Sequence, residues 1–314
     1  MGERKRYRSF VMDSARWDGF ELRDDDIIIS TPSKCGTTWT QMLCALLVFQ
    51  TDALPQPLTE LSPWLDMQLR PRDVVFDHLA AQTHRRFIKT HTPLDGLPED
   101  DRVTYVCVGR DPRDVSLSWE NHLANIDMDT LVSERAAAVG LDDLDELGPP
   151  MAPPSDDPVE RFWQWAEPDG DHGHETLPGI LRHLRTFWGR RDADNVVLLH
   201  YGDLSADLPA EMRRLADALS IEISDSKIEE LAPAAGFARM RARASELAPV
   251  VTQRLWRDDG AFFNKGTSGQ WRELLGEDDL RRYAGSVSAL ASPDLAAWAH
   301  TGRAGDGSWD GLGS

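Results

Sequence analysis

Short apolar runs alternate with longer amphipathic stretches along most of the chain. Residues 26–31, 86–91, 103–109 and 195–201 are rich in β-branched and other apolar residues and have the length of strands. The stretch 37–50, after the first run, has the apolar content and the length of a helix. Because the third run is apolar almost without interruption, we expect its strand to be buried on both faces, as in a parallel sheet.

Helix signals follow the later strands. Asp111 and Pro112 come directly after the third run, and Asp is favoured as the N-cap of a helix and Pro as its first residue. Residues 210–219 predict another helix after the fourth run. Strands that alternate with helices predict an α/β fold of three layers, in which helices flank a central, mostly parallel β-sheet. Ligands of such sheets bind at the carboxyl ends of the strands.

The domain organisation follows from changes in composition. We predict an N-terminal extension over residues 1–20, a single domain over 21–300 and a flexible C-terminal tail over 301–314, which is rich in Gly and small polar residues. Residues 127–157 are acidic and end in a cluster of prolines, which indicates an insertion or lid within the domain. Residues 141–147 predict a short amphipathic helix inside it.

The composition is that of a globular protein, with 41% hydrophobic and 28% charged residues. The 53 acidic and 34 basic residues give a net charge of −19, and an acidic surface repels phosphate backbones. We therefore expect no nucleic acid among the partners. The sparse cysteines Cys35, Cys44 and Cys107 fit a reducing compartment and argue against a disulfide framework or a zinc site.

Export and membrane signals are weak. A basic cluster at residues 4–8 lacks the apolar stretch that would follow it in a signal peptide. The longest apolar run, residues 42–49, is far shorter than the ~20 residues of a membrane span. We expect a cytoplasmic protein without a membrane span, and we interpret the basic cluster as a solvated tail.

A loop of small residues, Ser-Thr-Pro-Ser-Lys-Cys-Gly-Thr-Thr-Trp, runs from Ser30 to Trp39 between the first predicted strand and helix. Unpaired amides at a helix start, together with a Lys and two hydroxyls, form an anion site. An ordinary nucleoside-triphosphate loop needs a Gly four residues before a Gly-Lys-Ser/Thr run. Here Lys34 precedes Gly36, with Cys35 between them, which argues against an ordinary nucleoside-triphosphate loop.

The order Lys-x-Gly-Thr-Thr-Trp resembles the 5′-phosphosulfate loop of the cytosolic-type sulfotransferase family, whose fold is similar to that of P-loop NTPases. Four further segments resemble motifs of that family in the same chain order: residues 87–94, 105–119, 199–204 and 262–271. The resemblance spans roughly residues 20 to 280 and does not depend on any one motif.

The resemblance implies 3′-phosphoadenosine 5′-phosphosulfate (PAPS) as the co-substrate, 3′-phosphoadenosine 5′-phosphate (PAP) as the product, and no metal. His91 would take the proton of the acceptor hydroxyl, Lys34 would neutralise the leaving oxygen, and Lys89 would hold the sulfuryl oxygens. The resemblance assigns nucleotide binding to Lys34, Cys35, Gly36, Thr37, Thr38, Trp39, Arg110, Ser118, Tyr201, Phe237, Asn264, Lys265 and Gly266.

Individual roles follow from the chemistry of the side chains. Trp39 would stack on adenine, and Arg110 would offer its planar fork to the 3′-phosphate. Ser118 would add a hydroxyl there, while Lys265 and the amide of Gly266 would close the other side. With Lys34 and Lys89, these residues would form a local positive site on an acidic protein.

The chain departs from the family pattern at several positions. Cys35 replaces a Ser and Asn264 replaces an Arg, which removes one hydroxyl and one cation from the nucleotide site. The segment around Phe237 is only faintly similar to the family's adenine-packing stretch. Two other classes of function stay open: an ATP-dependent phosphotransferase, and a nucleotide-binding module of the same fold without catalysis.

Several of these residues also have ordinary structural interpretations. Arg110 could pair with Asp111 or Asp114, and Tyr201 could belong to the core. Cys35 could be a nucleophile at a helix N-terminus, although no basic partner is close in sequence. Residues 63–79, which include Trp64, Leu65, Met67 and Phe76, fall where the family builds its acceptor pocket, or form a packing face. We interpret His172, His174 and His183 as part of a solvated loop.

The function that we predict is transfer of a sulfuryl group from PAPS to a hydroxyl, or less often an amine, of a small-molecule or lipid-like acceptor. The sequence leaves open the identity of the acceptor and the oligomeric state, with a homodimer as one alternative.

Overall fold

A computed structural model describes residues 4–147, 153–170, 173–247, 255–263 and 266–303. In this part of the chain, four parallel strands form one sheet in the order β2-β1-β3-β4. The strands are β1 (Ile27–Ser30), β2 (Phe87–Thr90), β3 (Thr104–Gly109) and β4 (Val196–His200). All four predicted strands are confirmed, within one or two residues at each end.

Helices cover both faces of the sheet. They are α1 (Thr37–Phe49), α2 (Leu58–Leu61), α3 (Arg72–Ala81), α4 (Pro112–Asn125), α5 (Met128–Val139), α6 (Pro158–Ala166), α7 (Leu177–Trp188), α8 (Tyr201–Ala206), α9 (Leu208–Ala218), α10 (Asp225–Leu231), α11 (Phe237–Ala242), α12 (Ala244–Leu247), α13 (Asp259–Phe262), α14 (Glu277–Leu290) and α15 (Pro293–Thr301). Short 3₁₀ helices lie at Ser14–Trp17, Leu94–Gly96, Leu144–Leu147, Ala232–Ala235 and Gln270–Glu273.

Side chains alternate between two cores along each strand, as the two-residue period of a strand requires. Ile28 and Cys107 point into a core that α6, α7, α14 and α15 complete. Ile29 and Val106 point into a second core that α1, α9 and α10 complete. The strands are therefore buried on both faces, and the predicted three-layer α/β fold with a parallel sheet is confirmed.

The N-caps follow the predicted local chemistry. The Asp111 carboxylate accepts a hydrogen bond from the Arg113 amide, and Pro112 is the first residue of α4. Asp207 caps α9 through the amide of Ala210, so this helix begins two residues before its predicted start. Among the described residues, no helix is both long and apolar enough to cross a membrane.

The basic cluster near the N-terminus is not a solvated tail. Tyr7 is buried and its hydroxyl donates to the Asp95 carboxylate at 2.7 Å. The Arg8 guanidinium contacts the carboxylates of Asp143 and Glu146. The interpretation as a tail was wrong because Asp95, Asp143 and Glu146, which hold this segment on the protein, lie far away in the sequence.

The acidic segment is more ordered than its composition indicates. Asp127 caps α5, a helix that the composition did not predict, by accepting from the amide of Thr130. The helix predicted over 141–147 is reduced to a 3₁₀ turn at Leu144–Leu147. Residues 148–152 and the tail from 304 onward lie outside the described residues.

A buried ion pair joins the amino ends of β1 and β2. Arg86 donates from Nε to Asp26 Oδ1 at 2.8 Å, and both side chains are 2% exposed. We expect Asp26→Ala to lower the free energy of unfolding by about 3–5 kcal/mol, because it leaves the buried guanidinium without its carboxylate. Denaturant titration followed by circular dichroism would measure this loss.

Asp24→Ala is the matched control. Asp24 pairs with Arg102 at the surface, where the side chains are 78% and 56% exposed. We expect a change of less than about 0.5 kcal/mol, because water and salt screen such a pair. An equal loss in the two variants would contradict the role of burial.

Candidate active site

A cavity of about 1570 Å³ lies at the carboxyl ends of the strands. Each strand contributes to it through the residues that follow its end: Lys34 after β1, His91 after β2, Arg110 after β3 and Tyr201 after β4. Because parallel strands end at the same edge of a sheet, the topology brings together side chains that are far apart in sequence.

The loop between β1 and α1 has the geometry of an anion site. Lys34 and Gly36 both have positive φ, 66° and 111°, and α1 begins at the next residue, Thr37. Residues with positive φ in such a loop turn backbone amides toward one side, and no side chain caps the first turn of α1. A Cβ at Gly36 would lie 3.4 Å from the Tyr201 ring, so the loop also approaches that ring closely.

Cys35 takes part in this loop through its backbone alone. Its side chain is fully buried in the core that also contains Cys107, and it does not line the cavity. Burial raises the pKa of the thiol to about 12. Burial therefore disfavours a reactive thiolate, and only the backbone of Cys35 is available to a ligand in the cavity.

Lys34 reaches into the cavity against an aromatic wall. Its Nζ lies 3.3 Å from His122 Nδ1 and 4.7 Å from the centre of the Phe262 ring. Burial, together with the charges of Arg110 and Lys89, lowers the pKa of Lys34 to about 7. An anion in the cavity would restore the ammonium form.

Lys89 and His91 sit together at the end of β2. Lys89 Nζ lies 4.3 Å from the centre of the Trp64 ring, and burial lowers the pKa of its ammonium to about 8. The His91 ring packs edge-on against the same indole at 4.8 Å. Trp64 therefore contacts both residues.

The hydrogen bond of His91 defines its tautomer. His91 Nδ1 lies 2.7 Å from the carbonyl oxygen of Thr31, which can only accept, so Nδ1 carries the proton. Burial and the charge of Lys89 hold the pKa of His91 well below its usual value. The imidazole is neutral near pH 7, and Nε2 keeps its lone pair.

Arg110 does not pair with the carboxylates that follow it in the sequence. The Asp111 carboxylate pairs with Arg113 instead, and the Asp114 carboxylate accepts from the Gly269 amide at 2.8 Å. Arg110 donates to the Lys34 carbonyl at 3.1 Å and lies 4.3 Å from the Tyr201 ring centre. Its Nε is buried and has no hydrogen-bond partner within the described ranges.

Aromatic rings and a glycine form another part of the wall. Trp39 packs 5.1 Å from Tyr201, so Tyr201 belongs to the cavity rather than to the core alone. Gly266 has a φ of 65°, and a Cβ there would lie 2.5 Å from the Phe237 ring, which requires a glycine. Other assigned residues that line the cavity are Thr37, Thr38 and Ser118. Asn264 and Lys265 lie outside the described residues.

His122 is a site residue that the sequence analysis missed. It lies four residues after Ser118 on α4, and residues with this spacing share one face of a helix. Its ring packs against Trp119 at 5.3 Å and Trp256 at 4.9 Å. The helical period after Ser118 is the signal that would have found it.

The region 63–79 divides between cavity and core. Trp64, Met67 and Leu69 line the cavity, whereas Leu65 is buried in the core. Phe76 packs 5.1 Å from Phe20, away from the cavity lining.

The histidines assigned to a solvated loop are buried instead. The His174 ring packs 5.2 Å from Tyr7. His183 belongs to α7 and its Nε2 lies 3.1 Å from the Ser30 hydroxyl. His174 thus neighbours the N-terminal segment and also lines the cavity, whereas His183 neighbours β1. His172 lies outside the described residues.

Comparison with known proteins identifies the family. A family model described as a sulfotransferase domain matches residues 24–287. The chain belongs to the sulfotransferase family.

Relatives agree over nearly the whole chain. A glycolipid sulfotransferase of Mycobacterium tuberculosis is 47% identical over 317 residues, which cover 97% of each chain. A luciferin sulfotransferase of Photinus pyralis is 24% identical and covers 84% of this chain and 71% of its own. Membership of this family supports an enzyme of sulfuryl transfer over an ATP-dependent phosphotransferase.

Solved structures have the same fold. A retinol dehydratase in a complex with retinol and PAP aligns with a TM-score of 0.63 at 22% identity, and covers 88% of this chain and 84% of its own. A mouse sulfotransferase complexed with PAP aligns with a TM-score of 0.60 at 17% identity, and covers 88% of each chain.

The residues of this sulfotransferase fit a nucleotide with several phosphates. The uncapped start of α1 and the buried Arg110 Nε both offer donors to an anion. The Trp39 indole nitrogen is likewise buried without a partner in the described part of the chain.

The affinity for PAP should depend on pH, because the pKa of Lys34 is about 7 in the free protein. A bound anion raises that pKa, so the affinity is highest below about pH 7 and falls as the pH rises toward the pKa of the complex. One such group costs at most about ten-fold in affinity per pH unit. Titration calorimetry between about pH 7 and 9 would measure it, where the 5′-phosphate keeps its full charge.

Lys34→Arg is the matched variant, because a guanidinium stays charged over this range. We expect the affinity of this variant for PAP to decline less steeply with pH. The remaining decline is due to deprotonation of Lys89. Identical slopes in the two proteins would show that Lys34 does not titrate in this way.

Proposed function

We propose that this sulfotransferase transfers the sulfuryl group of PAPS to a hydroxyl of a glycolipid-like acceptor, with His91 as the general base. The observation that carries the proposal is the hydrogen bond from His91 Nδ1 to the Thr31 carbonyl. It leaves Nε2 unprotonated in a ring that also lies beside Lys89 and the phosphate loop. A neutral imidazole in this position suits removal of a hydroxyl proton.

The proposed reaction is a single in-line displacement. As the acceptor oxygen bonds to sulfur, its proton moves to His91 Nε2, and the bond from sulfur to the phosphate oxygen breaks. Lys34 stabilises the negative charge that develops on the leaving oxygen, and Lys89 that on the sulfuryl oxygens. PAP leaves with the electrons of the broken bond.

The nucleotide assignments stand as part of this proposal. The amides from Gly36 to Thr38 bind the 5′-phosphate, and Arg110 with Ser118 binds the 3′-phosphate. Trp39 and Phe237 enclose the adenine, and the amide of Gly266 closes the site; the assignment of Lys265 to the nucleotide rests on the sequence alone. The close approach of Gly266 to the Phe237 ring supports this arrangement.

A glycolipid-like acceptor is supported by the size and lining of the cavity. Single-ligand pockets hold about 300–1,000 Å³, so about 1570 Å³ leaves room for an acceptor beside the nucleotide. An apolar cluster continues from Trp64 to Met67, Leu69, Ile126, Leu131 and Leu255. The relative that is 47% identical is named as a glycolipid sulfotransferase. A sugar hydroxyl would then reach His91 while the lipid tail contacts this cluster.

We also propose that residues 21–300 form a single domain, and that its segment 127–147 and the N-terminal extension cover the acceptor end as a lid. Phe10, Val11, Leu131 and Leu144 line the cavity. Arg135 joins the two segments, because it donates to the Phe10 carbonyl at 2.8 Å and to Asp143 at 2.7 Å. The cytoplasmic location and a homodimer stay predictions.

His91→Ala is the direct test of the base. We expect transfer of labelled sulfate from PAPS to an alkyl glucoside to fall by about 10²–10⁴-fold, because no other group takes the proton. The dissociation constant for PAP should change by less than about two-fold, since His91 contacts the acceptor. His78→Gln is the control, because His78 lies on α3 against the Glu60 carbonyl, and we expect full activity. Normal turnover in His91→Ala would remove His91 from the role.

The length of the acceptor tail should control its affinity. We expect the KM for a series of alkyl glucosides to fall by up to about four-fold per added methylene, as about 0.8 kcal/mol of burial implies, until the apolar cluster is filled. The initial rate of sulfation would be measured at saturating PAPS.

Leu131→Ala and Leu231→Ala form a matched pair for this series. Both leucines are buried, but only Leu131 lines the cavity. We expect Leu131→Ala to weaken the dependence on tail length and Leu231→Ala to keep it. A KM independent of tail length in the unmodified protein would contradict a lipid tail in this cluster.

A further inference from the structure

Asp66 is a buried carboxylate behind the proposed catalytic residues. Its side chain is 0% exposed, and it follows Trp64 by two residues. All of the donors recorded around it are neutral. Trp64 Nε1 donates to Oδ1 at 2.6 Å, whereas Oδ2 accepts from Trp17 Nε1 at 3.0 Å and from the Thr90 and Thr92 hydroxyls at 2.5 Å.

Burial of an ionised carboxylate is costly, and the four hydrogen bonds to Asp66 offset this cost. Three of the four bonds connect Asp66 to residues that contact or flank the proposed catalytic side chains. Thr90 and Thr92 flank His91 in the sequence, and the Thr92 amide also donates to the Thr90 hydroxyl at 2.9 Å. Asp66 therefore fixes the backbone on both sides of His91.

Trp64 forms the second connection. The bond to Oδ1 sets the orientation of the indole, whose face lies 4.3 Å from Lys89 Nζ and whose ring packs 4.8 Å from His91. Lys89 and His91 thus contact an indole ring whose orientation is fixed by its hydrogen bond to Asp66. The carboxylate also favours the charged form of Lys89, because its negative charge raises the pKa of that ammonium.

We propose that Asp66 is a positioning residue of the sulfuryl-transfer site, which fixes Trp64 and the chain from Thr90 to Thr92 so that Lys89 and His91 meet the reacting groups. The inference rests on the proposed function for the roles of Lys89 and His91. Asp66 does not line the cavity and acts through Trp64 and the threonines.

Asp66→Asn isolates this role, because it keeps the size of the side chain. An amide has only one acceptor oxygen. Because three donors meet at the Oδ2 position, the Asn side chain places its oxygen there. The amide nitrogen then faces the Trp64 N–H, donor against donor, and the indole loses its position. Trp64→Phe removes the same hydrogen bond from the other side.

Trp17→Phe is the matched control. Trp17 donates its indole N–H to the same carboxylate and is 1% exposed, but it does not line the cavity. It removes one bond to Asp66 and leaves both Trp64 and the threonines in place.

The experiment compares five proteins: the unmodified protein, the three single variants and the double variant of Asp66→Asn with Trp64→Phe. The kcat and the KM for PAPS are measured with octyl glucoside as acceptor, together with the affinity of each protein for PAP. We expect kcat to fall by about 10- to 100-fold in Asp66→Asn and Trp64→Phe, as a small displacement of reacting groups implies, with an unchanged affinity for PAP. The double variant should be no slower than the slower single variant, because both changes remove one interaction. Trp17→Phe should keep its kcat.

Crystal structures of the unmodified protein and of Asp66→Asn with PAP give a readout that does not need turnover. We expect the Trp64 indole to turn and Lys89 Nζ to leave its face in the variant. If Asp66→Asn does not fold, Trp64→Phe against Trp17→Phe decides the kinetic question.

The outcomes separate the two proposals. An unmodified protein without sulfuryl transfer would overturn the proposed function, while the two crystal structures would still decide whether Asp66 positions Trp64. Unchanged kcat in Asp66→Asn or Trp64→Phe, an equal loss in Trp17→Phe, or unmoved Trp64, Lys89 and His91 would overturn the role of Asp66.

Discussion

The site depends on the parallel arrangement of β2, β1 and β3, which brings three cations to one edge of the sheet. Arg110 bonds to the carbonyl of Lys34 across 76 residues of sequence, and Lys89 ends the strand on the other side of β1. Their charges repel one another and are partly removed from water. Burial, reinforced by the charges of Arg110 and Lys89, lowers the pKa of Lys34 to about 7, and burial lowers that of Lys89 to about 8. A bound polyanion reduces the repulsion among the cations and replaces part of their lost hydration. Both changes contribute to the affinity for the nucleotide.

The same arrangement explains how a protein with a net charge of −19 can bind a nucleotide. Charges in solvent are screened beyond about 10 Å at moderate salt, so the acidic surface has little influence inside the cavity. Some of the acidic side chains also have a structural role. Asp143 and Glu146 hold Arg8, and thereby the N-terminal segment that lines the cavity. The charge balance excludes extended phosphate backbones without excluding one nucleotide.

Buried polar groups next to the cavity hold the side chains of the site in position. The carbonyl of Thr31, at the start of the loop before α1, holds His91 and couples the proposed base to the segment proposed to bind the nucleotide. Asp66 holds Trp64 and the threonines on both sides of His91. Such groups lie outside the cavity lining, but they remove the rotational freedom that flexible side chains would otherwise have.

Elements and chemistry that depend on neighbouring residues could be predicted from the sequence. Apolar runs predicted the strands, Asp111 and Pro112 predicted the start of α4, and the order from Lys34 to Trp39 predicted the phosphate loop, because each signal lies within one turn or one strand. The direction of the Cys35 side chain, the distant partners of Arg8 and the place of His122 became visible only in the folded protein. The same is true of Asp66, whose donors come from Trp17 and Thr92, 49 and 26 residues away. These contacts depend on how distant segments pack, and no local pattern of residues records that packing.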